Sequence, residues 1–118
     1  MLKLSSVMIG TMQPKVLGEF YTKILGEPTM ADGEWYGWLV GNAFLSVGAH
    51  SEVKGESKEP QRVIFNFDSD DVKGEAERIK GLGAKVIKEA YEIEGMWIAT
   101  FADPDGNYFQ ITTPWKPK

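Results

Sequence analysis

FADPDGNYFQI, residues 101–111, is the stretch on which the reading turns. Asp103-Pro104-Asp105-Gly106 has type I turn chemistry: a side-chain acceptor first, a pre-set φ second and glycine fourth. Asp103 and Asp105 are therefore read as turn residues rather than catalytic ones. Residues 108–111 read as a strand leaving the turn, and the one polar residue in it able to point inward is Gln110. A carboxylate at that place would suit a metal ion. A carboxamide suits an organic group, as donor and acceptor both.

Working outward, the order of signals before this stretch occurs twice. Residues 2–12 alternate as a strand, and Pro14 suits the first turn of a helix, where its missing N–H goes unmissed. Val16, Leu17, Phe20, Tyr21, Ile24 and Leu25 recur at helical spacing up to a stop at Gly26. Strand-like runs follow at 29–31, 35–40 and 43–47, split by Asp32-Gly33 and Gly41-Asn42. Residues 50–60 are polar and patternless, which marks a linker. A strand at 62–68 then has Val63, Phe65 and Phe67 on one face and Ile64 and Asn66 on the other. Asp70 or Asp71 caps a helix carrying Val72, Ala76, Ile79 and Leu82, stopped by Gly83. Strands are expected at 85–88, 96–102 and 108–113. The repeat is nearly in register: Leu25-Gly26 returns as Leu82-Gly83, Gly33-Glu-Trp35 as Gly95-Met-Trp97, and Gly41-Asn-Ala-Phe44 as Gly106-Asn-Tyr-Phe109. A duplicated β-α-β-β-β unit is the economical account. It implies one domain over 1–118, with module one at about 1–49, the linker at 50–60 and module two at about 61–114.

Composition narrows the chemistry. At 118 residues with 42% hydrophobic and 25% charged side chains, the chain has the length and balance of one globular domain. A net charge of −4 argues against nucleic acid as a partner. No cysteine is present, which excludes disulfides, thiolate catalysis and cysteine-bound zinc. The single histidine, His50, excludes any site needing two imidazoles and is read as a surface residue. The opening MLKLSSVMIG lacks a basic region followed by an unbroken apolar run, and no run approaches the ~20 residues that span a bilayer. A cytoplasmic protein with no membrane partner is expected.

Glu19-Phe20-Tyr21 with Leu25-Gly26, Asp70-Asp71-Val72 with Leu82-Gly83, and above all Phe101-Ala-Asp-Pro-Asp-Gly-Asn together resemble the vicinal oxygen chelate superfamily. That group includes glyoxalases, extradiol dioxygenases, fosfomycin-resistance transferases and bleomycin-resistance proteins. The resemblance spans about residues 2–114. It implies an α+β fold in which two βαβββ modules form a cupped mixed sheet with helices on the outer face, and a homodimer whose pairing completes the ligand clefts.

The resemblance also implies where a metal would sit, since metal-dependent relatives take ligands from the first and fourth strands of each module. Carried over, those positions are Ser6, Leu45, Ile64 and Gln110. Only Gln110 offers a coordinating oxygen, so no metal and no cofactor are expected. Gln110 either orients an organic ligand or bonds a polar neighbour such as Asn66 or Ser6. Phe20, Phe44, Phe65, Phe67 and Phe109 fall on helix-facing phases and are read as core. Trp35, Tyr36, Trp38 and Trp97 crowd the third strands, where both faces carry a ring. Either they line the cup, as stacking surfaces for aromatic or cationic ligands, or some of them pack in the core or at a chain–chain contact. The expected ligand-binding set is Ser6, Trp35, Trp38, Leu45, Ile64, Asn66, Trp97 and Gln110. Acid–base candidates such as Glu34, Asp68, Glu92 and Glu94 form no evident pair. The leading expectation is a metal-free small-molecule-binding protein of bleomycin-resistance type, binding a planar or amphipathic ligand in a dimeric cleft. The alternatives are a glyoxalase-like lyase or isomerase with a displaced or absent metal site, and a protein-interaction module with tryptophan at its contact surface.

Overall fold

The computed structural model describes residues 1–115. The chain divides into two compact units, one through Gly55 and the second from Glu56 onward. The first contains β1 (Ser6–Thr11), α1 (Pro14–Leu25), β2 (Met30–Asp32), β3 (Trp35–Val40) and β4 (Ala43–Ala49). The second contains β5 (Phe65–Asp68), α2 (Val72–Gly81), β6 (Lys85–Ile93), β7 (Met96–Ala102) and β8 (Tyr108–Thr112). Each unit is a βαβββ module with one mixed four-stranded sheet, in the orders β1-β4-β3-β2 and β5-β8-β7-β6. In each, the first strand pairs parallel with the last, and the remaining pairs are antiparallel. Among the described residues no helix is long and apolar enough to cross a membrane.

Local chemistry accounts for the element ends. Pro14 stands at the start of α1, and Thr11 Oγ1 accepts the N–H of Gln13 at 3.0 Å, holding the strand-to-helix corner. Asp71 rather than Asp70 caps α2, its Oδ1 accepting the Gly74 N–H at 3.0 Å. Gly26 and Gly83 both take φ +94°, a left-handed backbone that ends each helix at little cost only for glycine. The 103–106 segment is a hydrogen-bonded turn, with Gly106 N–H donating to the Asp103 carbonyl at 2.9 Å. Strand β5 begins only at Phe65, three residues later than its alternation suggests, leaving Val63 exposed and Ile64 half-buried before the strand.

Burial separates the two faces of each sheet. In module one α1 covers Ile9, Thr11, Trp38, Leu45 and Val47 with its own Leu17, Tyr21 and Ile24. Trp38 is 2% exposed, lies 6.1 Å from the Tyr21 ring, and donates Nε1–H to the Gly26 carbonyl at 2.9 Å. In module two Val72, Ala76 and Ile79 of α2 are buried with Ala99, Phe101, Phe109 and Ile111. There Phe109 stacks on Phe101 and meets Phe67 edge-on.

Candidate functional site

Each helix covers one face of its own sheet, so the face turned away from the helix is the surface left for a ligand. Strand pairing names its residues, because directly paired residues share a face and the face alternates at every residue. On the open face of module one, three rows cross the strands. They are Ser6–Phe44–Leu39, Met8–Ser46–Gly37–Met30 and Gly10–Gly48–Trp35–Asp32. On the open face of module two, Asn66, Gln110, Thr100 and Lys88 form one row, and Asp68, Thr112, Ile98 and Tyr91 the next. The two surfaces differ in chemistry: the first is apolar and glycine-rich, the second largely hydroxyl, amide and charge.

Of the expected ligand-binding residues, Ser6, Trp35, Asn66 and Gln110 stand on these open faces. Gln110 donates Nε2–H to Thr100 Oγ1 at 3.1 Å, a polar neighbour other than the two expected, Asn66 and Ser6. That bond leaves the carboxamide oxygen and the Thr100 hydroxyl proton for other partners. Ile64 lies ahead of β5, outside the sheet. Trp38, Leu45 and Trp97 are on the helix side, which corrects their assignment to the cleft. Trp38 and Leu45 are buried beneath α1, and Trp97 lies under α2, with Lys73 Nζ 4.0 Å from the centre of its ring. Phe44, expected in the core, is on the open face instead, its ring lying over Gly37.

Trp38 lies three residues from Trp35 in β3 and so faces the opposite side, whereas the reversals at Leu45, Phe44 and Trp97 share one cause, a slip of one residue in matching the two modules. The β2–β3 turn has positive φ at Gly33 but not at Glu34, whereas the β6–β7 turn has positive φ at both Glu94 and Gly95. Two-residue hairpins of type II′ need glycine first, and those of type I′ accept it second. Superposing the two glycines therefore pairs Trp35 with Trp97, while the pairings Asp32↔Trp35 and Ile93↔Met96 equate Trp35 with Met96. The next hairpin slips as well. It closes on Val40↔Ala43 in module one, on the helix side, and on Ala102↔Tyr108 in module two, on the open side. A one-residue shift moves a side chain to the opposite face. Sequence reasoning passed over Met8, Leu39, Asp32, Thr100 and Lys88 on the open faces. Strand alternation outward from Trp35 and Gln110 was the signal that could have found them.

The acidic turn is structural. Asp103 and Asp105 are buried, and Asp103 Oδ1 accepts N–H groups from Asp105 at 2.9 Å and Asn107 at 3.0 Å. The Asn107 side-chain amide donates to both Asp103 oxygens. His50 is exposed, its Nδ1 accepting the Glu52 N–H at 3.1 Å. Among the described residues no group of three or more His, Cys, Asp or Glu side chains is placed to hold a metal ion. A cleft of about 380 Å³ lies on the helix side of module one, between the first turn of α1 and the β2–β3 turn, with Pro14, Val16, Glu34 and Tyr36 in its walls.

The profile of the Glyoxalase-like domain matches residues 6–112, the span from the first residue of β1 to the last of β8. The chain belongs to that family. A glyoxalase/bleomycin resistance protein/dioxygenase family enzyme from Burkholderia phytofirmans PsJN is similar in structure, with a TM-score of 0.76 and 25% identity over 95% of this chain and 98% of that one. A glyoxalase-related enzyme from Fulvimarina pelagi superposes with a TM-score of 0.78 at 16% identity, covering 97% and 89% of the two chains. A glyoxalase/bleomycin resistance protein from Albidiferax ferrireducens T118 gives 0.75 at 17%, covering 94% and 98%. At the two lower identities the likeness speaks for the fold alone. No curated protein matches the sequence. The repeated βαβββ architecture read from the sequence is thus the architecture of this glyoxalase-like chain.

Proposed function

We propose that this glyoxalase-like protein binds a planar or amphipathic small molecule on the open faces of its sheets, and does so without a metal ion. The observation that carries the reading is the side-chain chemistry of those faces. Trp35, Phe44, Leu39 and Met8 supply flat and flexible apolar area in module one. Gln110, Thr100 and Asn66 supply donors and acceptors in module two. Each module thus has a surface of its own for an organic group, and apolar area with placed polar groups is the usual make-up of a small-molecule site. A divalent metal wants three or so imidazole or carboxylate ligands together, whereas each module's open face has a single carboxylate in its rows, Asp32 in the first and Asp68 in the second, among amides, hydroxyls and a thioether.

Two copies are expected to associate. The apolar open face of module one supports this, as do the first strands β1 and β5, each of which pairs with only one neighbour in its own sheet. Light scattering at micromolar concentration should give about twice the chain mass.

Thermal-shift screening of metal-free protein against planar and amphipathic compounds tests the main reading, since a ligand that binds only the folded state raises the melting temperature. Stabilisation by none of them would count against it. A transition metal retained at one per chain after dialysis would refute the metal-free reading and favour a glyoxalase-like lyase or isomerase.

A further inference from the structure

The row Gly10–Gly48–Trp35–Asp32 crosses all four strands of module one on the open face. Gly48 has no side chain, and the six-membered ring of Trp35 lies in the space that one would fill. A Cβ built on Gly48 would sit 2.5–2.7 Å from Cε3, Cζ3 and Cδ2 of the indole, closer than carbon atoms approach. The glycine therefore leaves room for the indole to lie against the sheet, and Trp35 is 39% exposed. Phe44 likewise occupies the side-chain space of Gly37, with the tip of its ring nearest. Asp32 is the direct cross-strand partner of Trp35, is exposed, and joins no ion pair among the described residues. Directly opposed side chains on an antiparallel pair start about 5 Å apart at Cβ, so one bicyclic ligand reaches both.

We propose that this row is a binding shelf for a planar organic cation, which stacks on the Trp35 indole and places its charge against the Asp32 carboxylate. The inference rests on the small-molecule reading above and narrows it to one ligand class and one module. The indole presents the negative face of its quadrupole outward, and stacking and cation–π attraction therefore act on the same ligand. Gly48 determines specificity by keeping the ring down: a methyl group there lifts the indole off the sheet and tilts the shelf.

The test is calorimetric titration of the protein with proflavine, a planar cation, beside tetrabutylammonium, a bulky cation, and 2-naphthalenesulfonate, a planar anion. Proflavine is expected to bind once per chain and the other two to bind at least about tenfold more weakly, the size of one lost cation–π or charge contact. Trp35→Ala should weaken proflavine about tenfold and Asp32→Asn several-fold, with a flatter salt dependence for the second. Gly48→Ala should weaken it comparably while circular dichroism stays unchanged; Trp35→Ala, which introduces no clash, keeps the proposal testable if Gly48→Ala does not fold. Proflavine binding that survives Trp35→Ala unchanged overturns the shelf, as does tetrabutylammonium or the sulfonate binding equally well. If the sulfonate alone binds, the shelf falls and the broader small-molecule reading stands. If no compound in this set or in the thermal-shift panel binds, both fall.

Discussion

Replacing Asp103 removes the centre of the turn between β7 and β8, and the structure sets the size of the loss. The residue is 5% exposed, so its hydrogen bonds are little screened by solvent. Its carboxylate accepts the N–H groups of Asp105 and Asn107 and the side-chain amide of Asn107, at 2.9–3.2 Å. Asp103→Ala leaves two backbone N–H groups without these acceptors, and each such group costs about 1–3 kcal/mol, towards the lower end where water can enter. With the amide of Asn107 also released, the expected loss is about 3 kcal/mol. Asp103→Asn keeps the shape and one acceptor oxygen but turns an NH₂ group towards that of Asn107. Its loss should be about 1–1.5 kcal/mol, the worth of one charge-assisted bond. For a chain of this size the alanine change should lower the melting temperature by about 10 °C. Urea unfolding followed by tryptophan fluorescence and far-ultraviolet circular dichroism measures both variants. An alanine variant within about 0.5 kcal/mol of the parent, the usual scatter of surface substitutions, would refute the reasoning. So would an asparagine variant no more stable than the alanine one.

Gly18→Ala should destabilise the protein although alanine is about 1 kcal/mol the better helix former, because a Cβ at this position would stand 2.5–2.8 Å from the Tyr36 ring; in urea unfolding the double variant with Tyr36→Ala should lose less than the two single changes summed. Trp38→Phe should cost about 2 kcal/mol, from the lost bond to the Gly26 carbonyl together with the cavity left against Tyr21 and Tyr36, again read from denaturant unfolding. Lys80 is held above the ordinary lysine value of 10.5, first by its hydrogen bond from Nζ to Glu89 and then by that carboxylate's charge. A raised folded-state value means that the pair's contribution is complete below the unfolded value and lost as pH rises through the folded one, so its window lies above 10.5. Amine NMR titration should show the Lys80 midpoint moving down in Glu89→Gln. Dialysis against a chelator should leave the melting temperature where it was, and a clear drop restored by zinc or manganese would contradict the metal-free reading.

Much of the fold was legible because local chemistry decides it. Pro14 at a helix start, Gly26 and Gly83 in left-handed conformation, Asp71 as a cap and Asp103-Pro104-Asp105-Gly106 as a turn each follow from what one residue can do with its nearest backbone neighbours. The helix-facing placement of Phe65, Phe67 and Phe109 followed from period-two patterning. The site was less legible. Ser6, Trp35, Asn66 and Gln110 were placed on the correct faces, whereas Trp38, Leu45, Phe44 and Trp97 were placed on the wrong ones.

What the sequence determined by itself, then, is the order of elements and the duplication. Both depend on residue type and spacing, which do not change when a strand slides by one residue. What only the tertiary structure decided is which ring belongs to the core and which to the open surface. That depends on hairpin type, on whether glycine stands first or second in a two-residue turn, and on which neighbouring strand supplies a gap for a ring to lie in. Gly48 shows the point. In the sequence it is one of thirteen glycines, and only pairing across β3 and β4 makes it the seat of Trp35 beside Asp32. Residues that meet through strand register are distant in the chain, and no local preference encodes their meeting.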